Sequence, residues 1–438
     1  MREQILTGRP FWLVMKTSIP AILGQLAVGL YSFFDMFFVG KMIGIEALTA
    51  VSTASPFIML NNAIAVLGGC GAAVVISGAL GRDDKQEVSA TFKNMLAIIV
   101  GLTIVLLVFV EGSADDLIRL SGANGRVADL GATYLRIVFA GSFFVNLSQS
   151  INMVVRSTGR MGHAMLITSG GAVLNIILDP VLISCLPWNG VYSVALATVI
   201  SQLAQFLMTV YYMYQYEDEC LHIKDFGHSK ISKMISTKIL SIGLSGMLMQ
   251  LLMFLRAVFL YRSVSAHGTD SDLAVMGAAQ RVLDLVFVVV WGISQAVNPL
   301  VGINYGAGKY GRVKKLLSCF WIWSTASCIV TEIIIVVFSE HILALFIEDR
   351  NLCIYGAPLL RTMYAGYFTY GIVMILITYL QIRGKALKAL AYVALWQVGL
   401  LIPCSFFLPS IVNIPNIKWI CVPIADIFSA VILFRKKT

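Results

Sequence analysis

Charge is scarce in this sequence. Only 13% of its 438 residues are Asp, Glu, Lys or Arg, about half the usual share of a soluble domain, which excludes a globular chain with a solvated surface. Its five histidines are scattered, at positions 163, 222, 228, 267 and 341. The eight cysteines (70, 185, 220, 319, 328, 353, 404 and 421) show no CxxC spacing and read as small core residues, neither disulfides nor metal ligands. No GxxxxGK[ST] loop and no HExxH occurs, and Gly306-Ala307-Gly308-Lys309 reads as a helix running out into a basic loop. The absences point away from an enzyme and leave no ATP site, so active transport would have to run on an ion gradient.

Apolar residues are abundant instead. They make up 58% of the chain, with a mean hydropathy of +0.84, in continuous and not alternating runs. Lipid satisfies no backbone N–H or C=O group, so such runs predict a bundle of transmembrane helices rather than a barrel. The net charge of +9 resides in short loops between apolar segments, where it sets topology; nucleic acid is not an expected partner. Arg2 and Arg9 before an apolar segment imitate a signal peptide, but Pro20 to Gly40 is too long for its apolar core and reads as the first, uncleaved span.

Hydropathy and breaker residues predict twelve spans, roughly at 14–39, 47–79, 92–111, 130–154, 163–186, 190–215, 237–262, 273–305, 316–338, 356–382, 388–409 and 415–434. The run Gly69 to Arg82 recurs in outline about 227 residues later, as Ala296 to Lys309. Each copy is an apolar helix ending in small residues and a basic stretch, which marks a duplication. The polar segment between spans six and seven becomes a linker, giving an N-terminal six-helix lobe (1–216), a cytoplasmic linker (217–236) and a C-terminal six-helix lobe (237–438). Six crossings per copy relate the lobes by a pseudo-two-fold along the membrane normal, with a central cleft that can open to either face by rocking. Of the 32 Lys and Arg residues, only Lys41, Arg119, Arg126, Arg262, Arg350, Arg361 and Lys418 fall on one side, and Arg136, Arg256 and Arg281 lie within spans. The other 22 share the side of the termini, which places both termini in the cytoplasm.

A charge at bilayer depth costs at least about 2.5–3.5 kcal/mol, so each is a functional hypothesis by default. Five acids qualify: Asp35, Asp179, Asp284, Glu332 and Asp426. Asp35 has no cation within one helical turn, so it is protonated, ion-bound or facing water; the bland alternative is a carboxyl donating to a backbone carbonyl. Asn175 and Asp179 stand four apart on one helix face, and Pro180 frees a carbonyl near the same turn, a donor set suited to a hard cation. Interhelical hydrogen bonding is the rival account of that pair. Thr198 and Gln202, also four apart, either add oxygens or pack. Asp284 follows Arg281 by three and is expected to pair with it; Glu332 has no evident partner and Asp426 has only Pro423 nearby, so either could line the cleft. Gln25, Gln202, Gln250, Met253, Arg256, Asp284 and Gln397 complete the candidates for a substrate cleft, with Met247, Met249 and Met253 as adaptable apolar surface beside Phe254.

Four segments together resemble the bacterial branch of the multidrug and toxic compound extrusion (MATE) family over essentially the whole chain: Asp35-Met-Phe-Phe-Val39-Gly40, Asn175-Ile-Ile-Leu-Asp179-Pro180, Pro299 to Gly308, and Pro423-Ile-Ala-Asp426-Ile. The resemblance implies twelve helices in two lobes exchanging a substrate for Na⁺ or H⁺. It also implies a cation site in the N-terminal lobe at Asp35, Asn175, Asp179 and Thr198, with no other cofactor. Trp396-Gln397 stands where similar sequences carry Arg-Gln. The acids that some branches place on spans seven and ten are absent, Gln250, Arg256 and Gln381 standing there, which argues against a coupling site in the C-terminal lobe. The expectation is a monomeric antiporter of the bacterial inner membrane exporting organic, cationic or amphipathic molecules. A lipid-linked oligosaccharide flippase of the same superfamily is the alternative, but it would need a cleft rich in arginine. A passive scaffold would have no reason to keep charge at bilayer depth.

Overall fold

The computed structural model describes residues 2–186, 190–215, 231–405 and 417–435, and among them every regular element is helical. A short helix α1 (Arg2–Thr7) precedes α2 (Pro10–Phe38), which continues through a π turn at Val39–Ile43. Next come α3 (Ile45–Arg82), α4 (Lys85–Leu120), α5 (Gly125–Ala140), α6 (Ser142–Ser157), α7 (Met161–Cys185) and α8 (Gly190–Gln215). The second half comprises α9 (Lys233–His267), α10 (Asp270–Gly306), α11 (Tyr310–Val337), the short α12 (Ser339–Ala344), α13 (Arg350–Tyr364), α14 (Phe368–Ile382), α15 (Ala386–Ala394) and α16 (Ile417–Arg435). A second π turn, Leu395–Gly399, prolongs α15 to Ser405.

Among the described residues, ten of these runs are long and apolar enough to cross a bilayer; α5 and α6 form another crossing bent by 52°, and α16 carries a shorter apolar stretch, Trp419–Ile432. The twelve expected passes are therefore all present as helices. They overrun their apolar cores because capping starts them earlier: Asp84 accepts from the Glu87 N–H at 2.9 Å, so α4 begins well ahead of its apolar run at 92. Likewise α9 begins at Lys233, inside the expected linker, where Asn94 Oδ1 accepts from Ser232 N at 3.0 Å and Ser236 Oγ at 2.8 Å. Residues 217–230 of that linker, Cys220 among them, lie outside the described residues.

The apolar cores follow the halves of the chain. One is drawn wholly from residues 249–430 and another wholly from 39–195. A third joins the halves, packing Val14 and Ala21 of α2 against Ile293 and Val297 of α10 and Phe320 of α11. The seven described cysteines form no disulfide.

At the end of the bundle that carries Arg82, Lys85, Lys309 and Arg312, the two copies of the duplicated segment meet. A Cβ on Gly306 would stand 2.1 Å from the Gly78 carbonyl oxygen, and one on Gly243 would stand 1.7 Å from that of Leu67. No side chain fits at either contact, so the backbones of α3, α9 and α10 close this basic end by direct approach. Helix α1 lies across the seam. Arg2 donates to the terminal carbonyls of α3, Leu80 at 2.7 Å and Gly81 at 3.1 Å. From the second half, Asn304 and Arg312 donate to the Ile5 carbonyl at 3.3 and 3.1 Å, Lys309 donates to that of Leu6 at 3.2 Å, and Arg312 also bonds Gly8. Helix-end carbonyls otherwise left to water thus hold both halves to one strap.

Candidate functional site

Away from the basic end, the halves separate around two adjoining cavities. The outer one, of 630 Å³, is lined by Asp35, Tyr31, Tyr134, Met253, Asp284 and Trp291 among others. The inner one, of 290 Å³, is lined by Gln25, Asn175, Thr198, Gln202, Gln250 and further polar residues. Tyr31, Ser32, Ile58, Asn62, Gln250 and Trp291 belong to both linings, so the two form one cleft.

Asp35 lines the outer cavity and Asn175 the inner one, and among the described residues the acids Asp35 and Asp179 have no hydrogen-bond or ion-pair partner. Asp35 is buried on α2, and its Oδ1 has no protein hydrogen bond. Asp179 on α7 is wholly buried; neither of its carboxylate oxygens is bonded, and neither amide atom of Asn175, one turn earlier, is bonded either. Pro180 has no N–H to give the Ile176 carbonyl, which leaves another oxygen free in this turn. Thr198 on α8 commits its hydroxyl proton to the Val194 carbonyl at 3.1 Å and keeps its lone pairs. Carboxylate, amide, hydroxyl and carbonyl oxygens suit a proton or a hard alkali cation. Among the described residues no three His, Cys, Asp or Glu side chains converge as a transition metal would require.

The C-terminal acid is in the opposite condition. Asp426 on α16 takes both arms of Arg256 on α9, at 3.1 and 3.3 Å, and the indole N–H of Trp396 at 2.9 Å; Gln397 accepts from Arg256 at 3.4 Å. Tyr370 lies under the guanidinium at 5.6 Å and meets the Trp396 ring edge-on. The π turn at Leu395–Gly399 brings Trp396 and Gln397 inward together. This corrects three expectations. Arg256 and Gln397 do not line the cleft, because Arg256 projects about a quarter turn off the stripe of Gln250, Met253 and Ala257 that does. Asp426 does not line it either, being neutralised within the C-terminal half.

Two further acids differ from expectation. Asp284 does line the cleft, but it accepts from Gln280 at 3.3 Å instead of pairing with Arg281. Glu332 faces an apolar groove outside the cleft and accepts the Phe368 N–H at 3.1 Å, an amide left orphaned where α14 begins. Gln25, Gln202, Gln250, Met253 and Asp284 all reach the cleft, whereas Met249 packs in the C-terminal core; the side chain of Phe254 lies outside the described residues. Sequence reasoning missed Asn61, Asn62, Gln205 and Gln295, and the set Gln149, Asn152 and Arg156 on α6. The last was detectable, since its three- and four-residue spacing is a polar stripe on an apolar helix.

The comparisons with known proteins bear on the family and the fold. The MatE family model matches residues 20–181 and 242–407, one stretch in each half. The multidrug export protein MepA of Staphylococcus aureus is 26% identical over 412 residues, 93% of this chain and 89% of that protein. MepA of Staphylococcus haemolyticus is 24% identical with the same coverage. A MATE structure in the straight conformation superposes with a TM-score of 0.93 at 24% identity, covering 99% of this chain and 96% of the other. An outward-facing multidrug resistance MATE family transporter of the MOP superfamily superposes at 0.91 with 25% identity and the same coverage. The chain belongs to the MATE family of membrane transporters, and it is a transporter and not an enzyme.

Proposed function

We propose that the protein exports organic, cationic or amphipathic molecules from the bacterial cytoplasm in exchange for Na⁺ or H⁺. The observation that carries this reading is the contrast between the acids: among the described residues Asp35 and Asp179 lie buried without partners beside a polar cleft, while Asp426 is neutralised by Arg256. An unpaired buried carboxylate is costly, and a bound cation or proton offsets that cost. Binding there favours whichever packing of α2 against α7 and α8 completes the coordination, so ion entry biases the opening of the cleft.

The basic end faces the cytoplasm on this reading, so the glycine seam is the closed inner gate and the cleft opens outward. The two six-helix halves, 1–216 and 237–438, are the moving bodies, rocking about the central cleft. A monomer carries the whole path. MepA is named as a multidrug exporter, and the aromatic and amide lining of the cleft suits ligands of varied shape. An oligosaccharide flippase fits less well: among the described residues the cleft lining holds one arginine, Arg156, while Arg136 pairs with Asp115 and Arg256 with Asp426. In proteoliposomes, an outside-in Na⁺ or H⁺ gradient should drive export of a cationic dye, and Asp35→Asn or Asp179→Asn should abolish the drive. Full gradient-driven transport in both variants would reject this role.

A further inference from the structure

We propose that an apolar groove on the lipid-facing surface of the C-terminal half holds a phosphatidylethanolamine molecule, whose ammonium group is bound by Glu332. The groove, of 450 Å³, is lined by Ile329, Glu332, Ile333, Val336 and Val337 of α11 and by Phe368 at the start of α14. It shares no lining residue with either cavity of the cleft, so it is a separate site. Ile329, Ile333, Val336 and Val337 are exposed, at the three- and four-residue spacing of one helix face, and in a membrane that face meets acyl chains. Glu332 interrupts this stripe. One of its carboxylate oxygens accepts the Phe368 N–H at 3.1 Å, and among the described residues no Lys, Arg or His side chain lies within 4.0 Å of it. An unpaired acid on a lipid-facing helix is costly unless a cation or a proton joins it.

Depth decides which cation arrives. Glu332 stands five residues before Val337, the last of α11, and so about 8 Å from the helix end farther from the basic residues. That depth is the boundary between acyl chains and headgroups in the leaflet opposite the basic end. Just beyond it, Arg361 on α13 donates to a neutral partner, Ser339 Oγ, at 2.8 Å, and among the described residues no carboxylate lies within 4.0 Å of its guanidinium. Ser339 follows Glu332 by seven residues and Arg361 precedes Phe368 by seven, so this cation and this acid stand about 10 Å apart along the same pair of helical segments. A zwitterionic headgroup bent back toward the bilayer sets its phosphate by Arg361 and its ammonium on Glu332, with an acyl chain along Ile333 and Val337. A primary ammonium brings three N–H donors, whereas the trimethylammonium of choline brings none and a glycerol headgroup brings no cation. The acid therefore selects ethanolamine.

The test titrates delipidated, full-length protein with phosphatidylethanolamine, phosphatidylcholine and phosphatidylglycerol of identical acyl chains, and counts the retained lipid by native mass spectrometry. The wild type should keep one ethanolamine lipid about ten- to hundredfold more tightly than either of the others, the strength of a charge-assisted contact. Glu332→Gln retains an oxygen for the Phe368 N–H but carries no charge, and it should lose that preference. Val336→Lys places an ammonium one turn from an intact Glu332 and should lose it too, the acid being paired from within. A preference that survives in either variant, or a wild type that holds all three lipids alike, would overturn the inference. So would displacement of the ethanolamine lipid from the wild type by an equimolar lipophilic cation such as tetraphenylphosphonium, which would mark the groove as a site for cationic solutes.

Discussion

Replacing Gly306 with alanine should unseal the basic end. The added methyl carbon would stand 2.1 Å from the Gly78 oxygen, where ordinary contact begins at 3.4 Å, and it would also press on the backbone Cα of the same residue at 3.0 Å. No flexible side chain can yield, so α3 and α10 must move apart, an overpacking cost of about 1–3 kcal/mol. Alanine also favours the helix by about 1 kcal/mol over glycine, but it does so whether the seam is open or closed. Only the sealed state carries the clash, so its population relative to the open one falls by about 5- to 150-fold. Native Cys70 reports on this directly, because it lines a 40 Å³ cavity between the cleft and the seam, with Gly246, Ser294 and Asn298. With the other seven cysteines replaced, everted vesicles present the basic end to a membrane-impermeant maleimide. Labelling of Cys70 should be slow in the wild-type background and accelerate by that factor in Gly306→Ala. Gly101→Ala is the control, since a Cβ there meets nothing within 4 Å. Unchanged labelling together with an unchanged melting temperature in Gly306→Ala would refute the seam as a gate.

Three other outcomes can be checked. Na⁺ or acid should raise the melting temperature of the purified protein, by about 2.7 kcal/mol of stability at a hundredfold excess over Kd, and the shift should vanish in Asp179→Asn; an undiminished shift would place the ion elsewhere. Arg256→Met leaves Asp426 buried and unpaired and should cost about 3–5 kcal/mol in unfolding stability, while Arg256→Met with Asp426→Leu should regain most of it; a single variant as stable as wild type would contradict the pairing. Arg2→Ala removes the bonds from α1 to Leu80 and Gly81, each worth about 0.5–1.5 kcal/mol, so Cys70 labelling from the basic end should rise, though less than in Gly306→Ala; no rise would mean that α1 does not strap the seam.

Much of the fold was legible because its causes are local. Each apolar run declares its own span, and the cost of charge at bilayer depth singled out Asp35 and Asp179 without reference to any other residue. The spacing of Asn175 and Asp179 put both on one face before any contact was known. The fates of the other acids were not legible. Asp426 meets Arg256 across 170 residues of sequence, and Glu332 meets the amide of Phe368 across 36; neither pairing leaves a trace in local spacing. Asp284 illustrates the same limit at short range, since Arg281 was the charged neighbour but Gln280 is the partner. Arg156 escaped notice because it falls just past the expected end of span four at 154, where basic residues are topology signals, yet α6 carries it inward to the cleft.

Residence in lipid, the helical state, the number of passes and the duplication follow from the sequence by itself, because transfer free energy accumulates along each segment independently of where the others lie. Which charges stand paired and which stand open, where the cleft is, and which face the glycines seal were decided only by tertiary structure. Coulomb and hydrogen-bond energies in a low dielectric depend on separations of a few ångströms between residues far apart in the chain. The two copies of one ancestral segment look alike in sequence, but only the tertiary structure brings them into backbone contact at Gly78 and Gly306.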